Sequence, residues 1–107
     1  MSDKKIVLTT AGSREEAEKI AHALVERRLA ACVNIVSPMH SVYRWQGKVE
    51  TADEHLLLIK TTAASFDAVA RAISELHSYE LPECIELAIE SGSADYLTWI
   101  EQSVVGS

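Results

Sequence analysis

The softest donor atoms in this sequence belong to two cysteines, Cys32 and Cys84, and four histidines, His22, His40, His55 and His77. Thiolate combined with imidazole favours Cu(I) and also accepts zinc. None of these residues falls into a tight chelating motif such as C-x-x-C or H-E-x-x-H. Cys32 lies in the apolar run Ala30-Ala31-Cys32-Val33, a setting that suits a structural thiol as well as a ligand. His77 closes a helical pattern just before Ser78-Tyr79-Glu80-Leu81-Pro82-Glu83, where it is either a ligand or a partner of the helix's terminal carbonyls. Cys84, next to Ile85, reads as a core cysteine. His22 falls on the polar side of a helix, and His40 (beside Pro38) and His55 (beside Asp53-Glu54) read as surface histidines that could touch a cation weakly.

Other chemistry has no foothold. The segment Thr9-Thr10-Ala11-Gly12-Ser13 after the first strand has a single glycine, so there is neither a phosphate loop nor a dinucleotide fingerprint. No G-x-S-x-G elbow occurs, and no spacing of Ser, His and Asp suggests a triad. A binding or assembly protein is therefore expected, not an enzyme. Tyr43 and Trp45 alternate along an extended segment and so face one side, as an anchor between subunits or as a ligand platform. Lys60 is the one charge in an apolar strand and is expected to reach solvent or a carboxylate at a subunit edge.

The elements that hold these residues follow from periodicity. Ile6 to Thr10 is a β-branched run broken by Gly12-Ser13. Ser13 with Glu16 forms a capping box, and Ala17, Ile20, Ala21, Leu24 and Val25 give a helix from about Arg14 to Arg28, with Arg27 and Arg28 suited to its C-terminal dipole. A second strand, Ala31 to Val36, is interrupted at Ser37-Pro38 and resumes from Ser41 to Trp45. Gln46-Gly47-Lys48 turns the chain back through Val49-Glu50-Thr51 into the strongest strand, Leu56 to Thr62. The long hairpin that results has open edges. Phe66, Val69, Ala70, Ile73, Leu76 and His77 mark a second helix. In the last strand Ile85, Leu87 and Ile89 alternate with Glu86, Ala88 and Glu90, predicting one buried face and one wet face. Ser93 caps a final helix bearing Tyr96, Leu97, Ile100 and Val104.

This order is β-α-β-β-α-β plus a C-terminal helix, an α+β arrangement solved most simply by a ferredoxin-like sheet with two helices on one face. Residues 1–107 make one domain. At this length it buries roughly 65% of its extended surface, so it needs no metal or disulfide to fold. Two helices protect only one sheet face, and Leu56-Leu57-Leu58-Ile59 is apolar on both. A homo-oligomer is expected, with partial cover by the last helix as the alternative. The net charge of -6, with scattered basic residues, argues against nucleic acid. No apolar run has the length of a membrane span, and none of signal-peptide length precedes Ile6, so a cytoplasmic protein without membrane contact is expected.

Several segments carry a resemblance. Leu29-Ala30-Ala31-Cys32-Val33-Asn34-Ile35, Tyr43-Arg44-Trp45-Gln46-Gly47-Lys48-Val49-Glu50, Leu56-Leu57-Leu58-Ile59-Lys60-Thr61, His77-Ser78-Tyr79-Glu80-Leu81-Pro82-Glu83 and Asp95-Tyr96-Leu97-Thr98-Trp99-Ile100 resemble the CutA family, named for divalent cation tolerance. The resemblance implies a ferredoxin-like domain that forms a tight homotrimer through its hairpins, an architecture similar to the PII signalling proteins. It further implies tolerance to, and binding of, copper, zinc or other divalent ions. The family's cysteine falls on Cys32 and its histidine on His77, near clefts between subunits where Glu83 adds an oxygen. Ser78 stands where the family usually has proline, which is expected to loosen the turn after His77. A PII-like module taking a small ligand in the subunit clefts is the alternative.

Overall fold

Ser13 starts the first helix as its spacing predicts: its Oγ accepts the Glu16 N–H at 3.1 Å, and α1 runs over Arg14–Glu26. The other half of the expected capping box is not made, because the Glu16 carboxylate is engaged elsewhere. The helix ends two residues earlier than the apolar spacing suggests. Arg28 takes a left-handed conformation (φ 58), and the amides of Arg28 and Leu29 return to the carbonyls of Val25 and Leu24, a Schellman closure. Val25 is left exposed on the solvent side of the helix.

The computed structural model describes residues 3–105; the approach through Met1 and Ser2 lies outside them. Four strands, β1 (Lys4–Ala11), β2 (Cys32–Trp45), β3 (Lys48–Thr62) and β4 (Ile85–Ala88), form one antiparallel sheet in the order β2-β3-β1-β4. A 3₁₀ turn at Ala63–Ser65 leads from β3 into α2 (Phe66–Leu76), and α3 (Ala94–Ser103) ends the fold. Ser93 caps α3 through the Tyr96 N–H at 3.1 Å, again as its spacing predicts. The ferredoxin-like arrangement expected from the element order is the one formed.

Ser37-Pro38 does not split β2. The ladder to β3 jumps from Val36 to Met39, so the two residues form a bulge in a continuous strand. The β1–β3 ladder ends at the Ala11–His55 pair, so among the described residues the hairpin beyond it has no third strand beside it. Its tip is a two-residue turn, Gln46-Gly47, with φ of 50 and 81. Positive φ at both central positions is what a type I′ turn requires, and glycine supplies the second.

One face of the sheet carries the core. Val7, Ala11, Leu57 and Ile59 meet Ala17, Ile20 and Leu24 of α1 and Val69 and Ile73 of α2. The opposite face carries Ile6, Leu8, Leu56 and Leu58, with Val36 on one side and Ile85 and Leu87 on the other, as their cross-strand pairing dictates. The α3 helix crosses one end of this second face, where the Lys60 ammonium lies 5.9 Å from the Tyr96 ring centre. The rest is open: Val36, Ile85 and Leu87 are each about half exposed, at 46%, 49% and 48%. The alternation in β4 is real, but its apolar side faces away from α1 and α2 and stays about half exposed.

Candidate functional site

His77 leaves α2 as its C-cap in extended backbone, and its amide still reaches the Ile73 carbonyl. Its side chain is fully buried. It does not serve the end of its own helix. The Nε2–H donates to the Thr10 carbonyl at the end of β1 at 2.5 Å, and Nδ1 accepts the Tyr79 N–H at 3.1 Å. Nδ1 also lies 3.1 Å from Glu16 Oε1. A neutral imidazole thus has both nitrogens occupied, and a proton on Nδ1 would exchange the Tyr79 bond for an ion pair with Glu16.

Ser78 strengthens this junction. Its amide donates to Glu16 Oε1 at 2.7 Å and its hydroxyl to Oε2 at 2.8 Å. Burial pushes the Glu16 carboxyl up, but the two Ser78 bonds, with the neighbouring His77 and Lys19 side chains, outweigh it and hold the group below its usual range. The serine expected to loosen the turn is instead gripped by both carboxylate oxygens. Proline here could make neither bond.

Tyr79, the next residue, crosses to the hairpin and donates its hydroxyl to Glu54 Oε2 at 2.8 Å. Burial, then the Glu54 bond and charge, push the phenol up to about 12. Glu54 is itself only 8% exposed, and its Oε1 takes no hydrogen bond from the described residues. Gly12 allows the contact, since a Cβ there would lie 2.9 Å from the Tyr79 hydroxyl oxygen.

Between the hairpin arm and the 79–83 segment lies a cavity of about 640 Å³. The arm supplies Ser41, Val42, Tyr43, Trp45, Glu50 and Glu54; the segment supplies Tyr79, Glu80, Leu81 and Glu83; and Thr10 closes the end. Glu83 therefore stands on this cavity. Cys32 does not. It pairs with Lys60 on β3, whereas Thr10, which binds the His77 ring, pairs with Leu56, four residues along that strand or roughly 13 Å. Cys32 is half-buried on the open sheet face, its Sγ 3.7 Å from Asn34 Oδ1. Lys60, partly exposed as expected, donates to that same oxygen at 2.6 Å and lies near the Tyr96 ring; among the described residues its partners are an amide and an aromatic ring and not a carboxylate.

The remaining soft donors are dispersed. Cys84 packs against the core, and its thiol is pushed up by burial and by Glu83 and Glu86, which disfavours the thiolate. His22 is solvent-exposed beside Glu18, His40 pairs with Asp53 at 3.0 Å, and His55 contacts the Ser37 hydroxyl. Among the described residues no group of three or more His, Cys, Asp or Glu side chains is arranged to hold a metal. Cys32, His77 and Glu83 are not brought together within one chain. The sequence pointed to Cys32, His77, Tyr43 and Trp45 by residue type. It gave no comparable signal for Glu54, for the Thr10 carbonyl, or for the second use of Glu16.

Comparison with known proteins agrees with this architecture. A family model described as CutA1 divalent ion tolerance protein matches residues 5–103. The divalent-cation tolerance protein CutA of Thermus thermophilus is 47% identical over 94% of this chain and 97% of its own length. The chloroplastic protein CutA of Arabidopsis thaliana is 42% identical, and this chain spans about half of it (54%). Among solved structures, the divalent cation tolerance protein Cut A1 from Thermus thermophilus superposes with a TM-score of 0.93 at 46% identity, covering 94% of this chain and 98% of that one. CutA from Xylella fastidiosa gives 0.94 at 43% identity, covering 96% and 99%.

Proposed function

The chain belongs to the CutA1 divalent ion tolerance protein family, and from that membership we propose that it is a homotrimer binding copper or a related divalent cation between subunits, without catalysis. The observation that carries the reading is the open apolar face. Ile85, Leu87 and Val36 are half exposed beside Ile6, Leu8 and Leu58, and the hairpin carries Val42 and Val49 at 64% exposure each. A contiguous apolar surface of this kind marks a protein interface. The number three comes from the family resemblance.

Assembly is also the route to a cation site. Cys32 lies on the open face and Glu83 on the cavity, so a second subunit must bring such donors together. Thiolate, imidazole and carboxylate at one cleft would suit a soft or borderline ion carried as cargo. His77 would join that set by releasing one of its ring contacts; while it keeps them, it holds the segment that presents Glu83.

Native mass spectrometry of the metal-stripped protein during a low-micromolar copper titration tests this reading. The expected result is a trimer taking up one ion per subunit, with uptake lost in Cys32→Ser and His77→Ala and weakened in Glu83→Gln. Graded, substoichiometric uptake indifferent to all three changes would overturn the cation role. A second reading then remains, a PII-like module whose cleft takes a small ligand, supported by the 640 Å³ cavity, which is within the usual size of ligand pockets.

A further inference from the structure

The cavity has a chemical character of its own. Its walls include the rings of Tyr43, Trp45 and Tyr79 together with Leu81, a surface suited to a flat apolar body. Among the described residues, every charged side chain on the wall is acidic. An anionic ligand would meet only repulsion from Glu50, Glu54, Glu80 and Glu83.

Glu54 makes the preference specific. The residue is only 8% exposed, and its carboxylate has one hydrogen bond from the protein, from the Tyr79 hydroxyl to Oε2. Oε1 is left without a donor among the described residues. That oxygen is open to the cavity that Glu54 lines, where a carboxylate is best met by opposite charge and a hydrogen bond. A cationic N–H donor would supply both, and the surrounding rings would favour the same cation through their faces. Such a ligand fits where a carboxylate-bearing one does not.

We propose that the cleft between the hairpin arm and the 79–83 segment binds a small organic ammonium ion on an apolar body, its N–H⁺ donated to Glu54 Oε1 and its body set against Tyr43 and Trp45. The inference rests on the second reading above, that the cleft takes a small ligand, and names that ligand's chemistry. It shares Glu83 with the copper role but not Cys32, which lies off the cleft.

Calorimetric titration of the native oligomer with 2-phenylethylammonium, 2-phenylethanol and phenylacetate tests it, the three probes sharing one body and differing in head-group charge. The ammonium is expected to bind with a Kd on the order of a millimolar or below. The alcohol should bind roughly tenfold or more weakly and phenylacetate not at all. Glu54→Gln, which keeps shape and an acceptor for Tyr79, should reduce the ammonium's affinity to that of the alcohol. Glu50→Gln, on the exposed arm, should cause a smaller loss and serves if the Glu54 variant does not fold. Equal binding of the three probes would leave the small-ligand reading standing and overturn the cationic one. No binding by any probe would overturn both, as expected if a second copy of the chain fills the cleft. Displacement of the ammonium by one Cu(II) per subunit in a Glu54-dependent way would make the cleft a metal site and also overturn the inference.

Discussion

Tyr79 reaches Glu54 through the gap that Gly12 leaves, and that contact governs how the residue titrates. Burial and the Glu54 carboxylate hold the phenol at about 12, against 10 for the free group. A folded-state value above the unfolded one means that the native state holds the proton more tightly. The resulting stabilisation is complete below pH 10 and is lost as the pH rises through about 12. Following tyrosinate absorbance should therefore reveal one of the three tyrosines ionising late. In Gly12→Ala the new Cβ, 2.9 Å from the hydroxyl, forces the ring aside, and the late step should move back toward 10. Glu54→Gln should do the same without crowding. A late step retained in both variants would mean that neither contact sets it. These residues also explain what could be read beforehand. Cys32, His77 and the alternating Tyr43 and Trp45 are visible because their types are few and their chemistry distinctive. Glu16 at the third position of a helix reads as a cap, and Glu54 in Asp53-Glu54 reads as surface charge. A carbonyl such as that of Thr10 has no side-chain signature, so only the fold makes it a partner of His77.

The end of α1 shows an element fixed by one non-glycine residue in a glycine conformation. Arg28 sits at φ 58, yet its guanidinium donates to the carbonyls of Ser103 at 3.2 Å and Gln102 at 2.9 Å, and its own carbonyl accepts the Val105 N–H at 2.9 Å. The residue therefore ties the C-termini of α1 and α3 together, at a conformational cost of about 1–2 kcal/mol. Two substitutions separate these effects. Arg28→Ala keeps the strain and loses the guanidinium bonds, which at an exposed site amounts to about 1 kcal/mol of lost stability. Arg28→Gly loses the same bonds but relieves the backbone, so it should be more stable than the alanine variant by about 1 kcal/mol. Urea unfolding with unchanged slopes would measure both, and equal midpoints would show that the left-handed backbone is not strained. Helix starts were easier to read than this helix end, because Ser13 and Ser93 advertise caps whereas Arg28 does not look like a C′ residue. The bulge at Ser37-Pro38 was similarly half legible: proline signalled disruption, but the length of pairing on either side decides whether a strand breaks or bulges. In β4 the alternation was legible and the orientation was not, since period two leaves open which face another element covers.

At the scale of the molecule the same ambiguity becomes an argument. Helices α1 and α2 occupy one side of the sheet, and α3 crosses only one end of the other. The uncovered stretch runs from Val36 on β2 through Leu58 and Leu8 to Ile85 and Leu87 on β4, with apolar residues directly opposite one another. The element order and the doubly apolar Leu56-Leu57-Leu58-Ile59 already implied a missing layer; they could not say whether α3 or a partner provides it. If a second subunit does, a charge placed on this face must be desolvated on assembly, which costs several kcal/mol at each contact. Leu87→Lys tests this, because Leu87 is half exposed, lies on edge strand β4 and is absent from the buried core. The isolated chain should tolerate the change while the assembly does not. Val25→Lys is the control, an exposed valine on the solvent side of α1, away from the open face. In sedimentation equilibrium the Leu87 variant should dissociate at concentrations where the Val25 variant and the parent stay assembled. Its melting temperature should also become concentration-dependent over that range, since subunit contacts stabilise the fold by mass action. A Leu87→Lys protein that assembles as tightly as the parent would move the interface off β4, to the hairpin edge where Val42 and Val49 are exposed on paired strands.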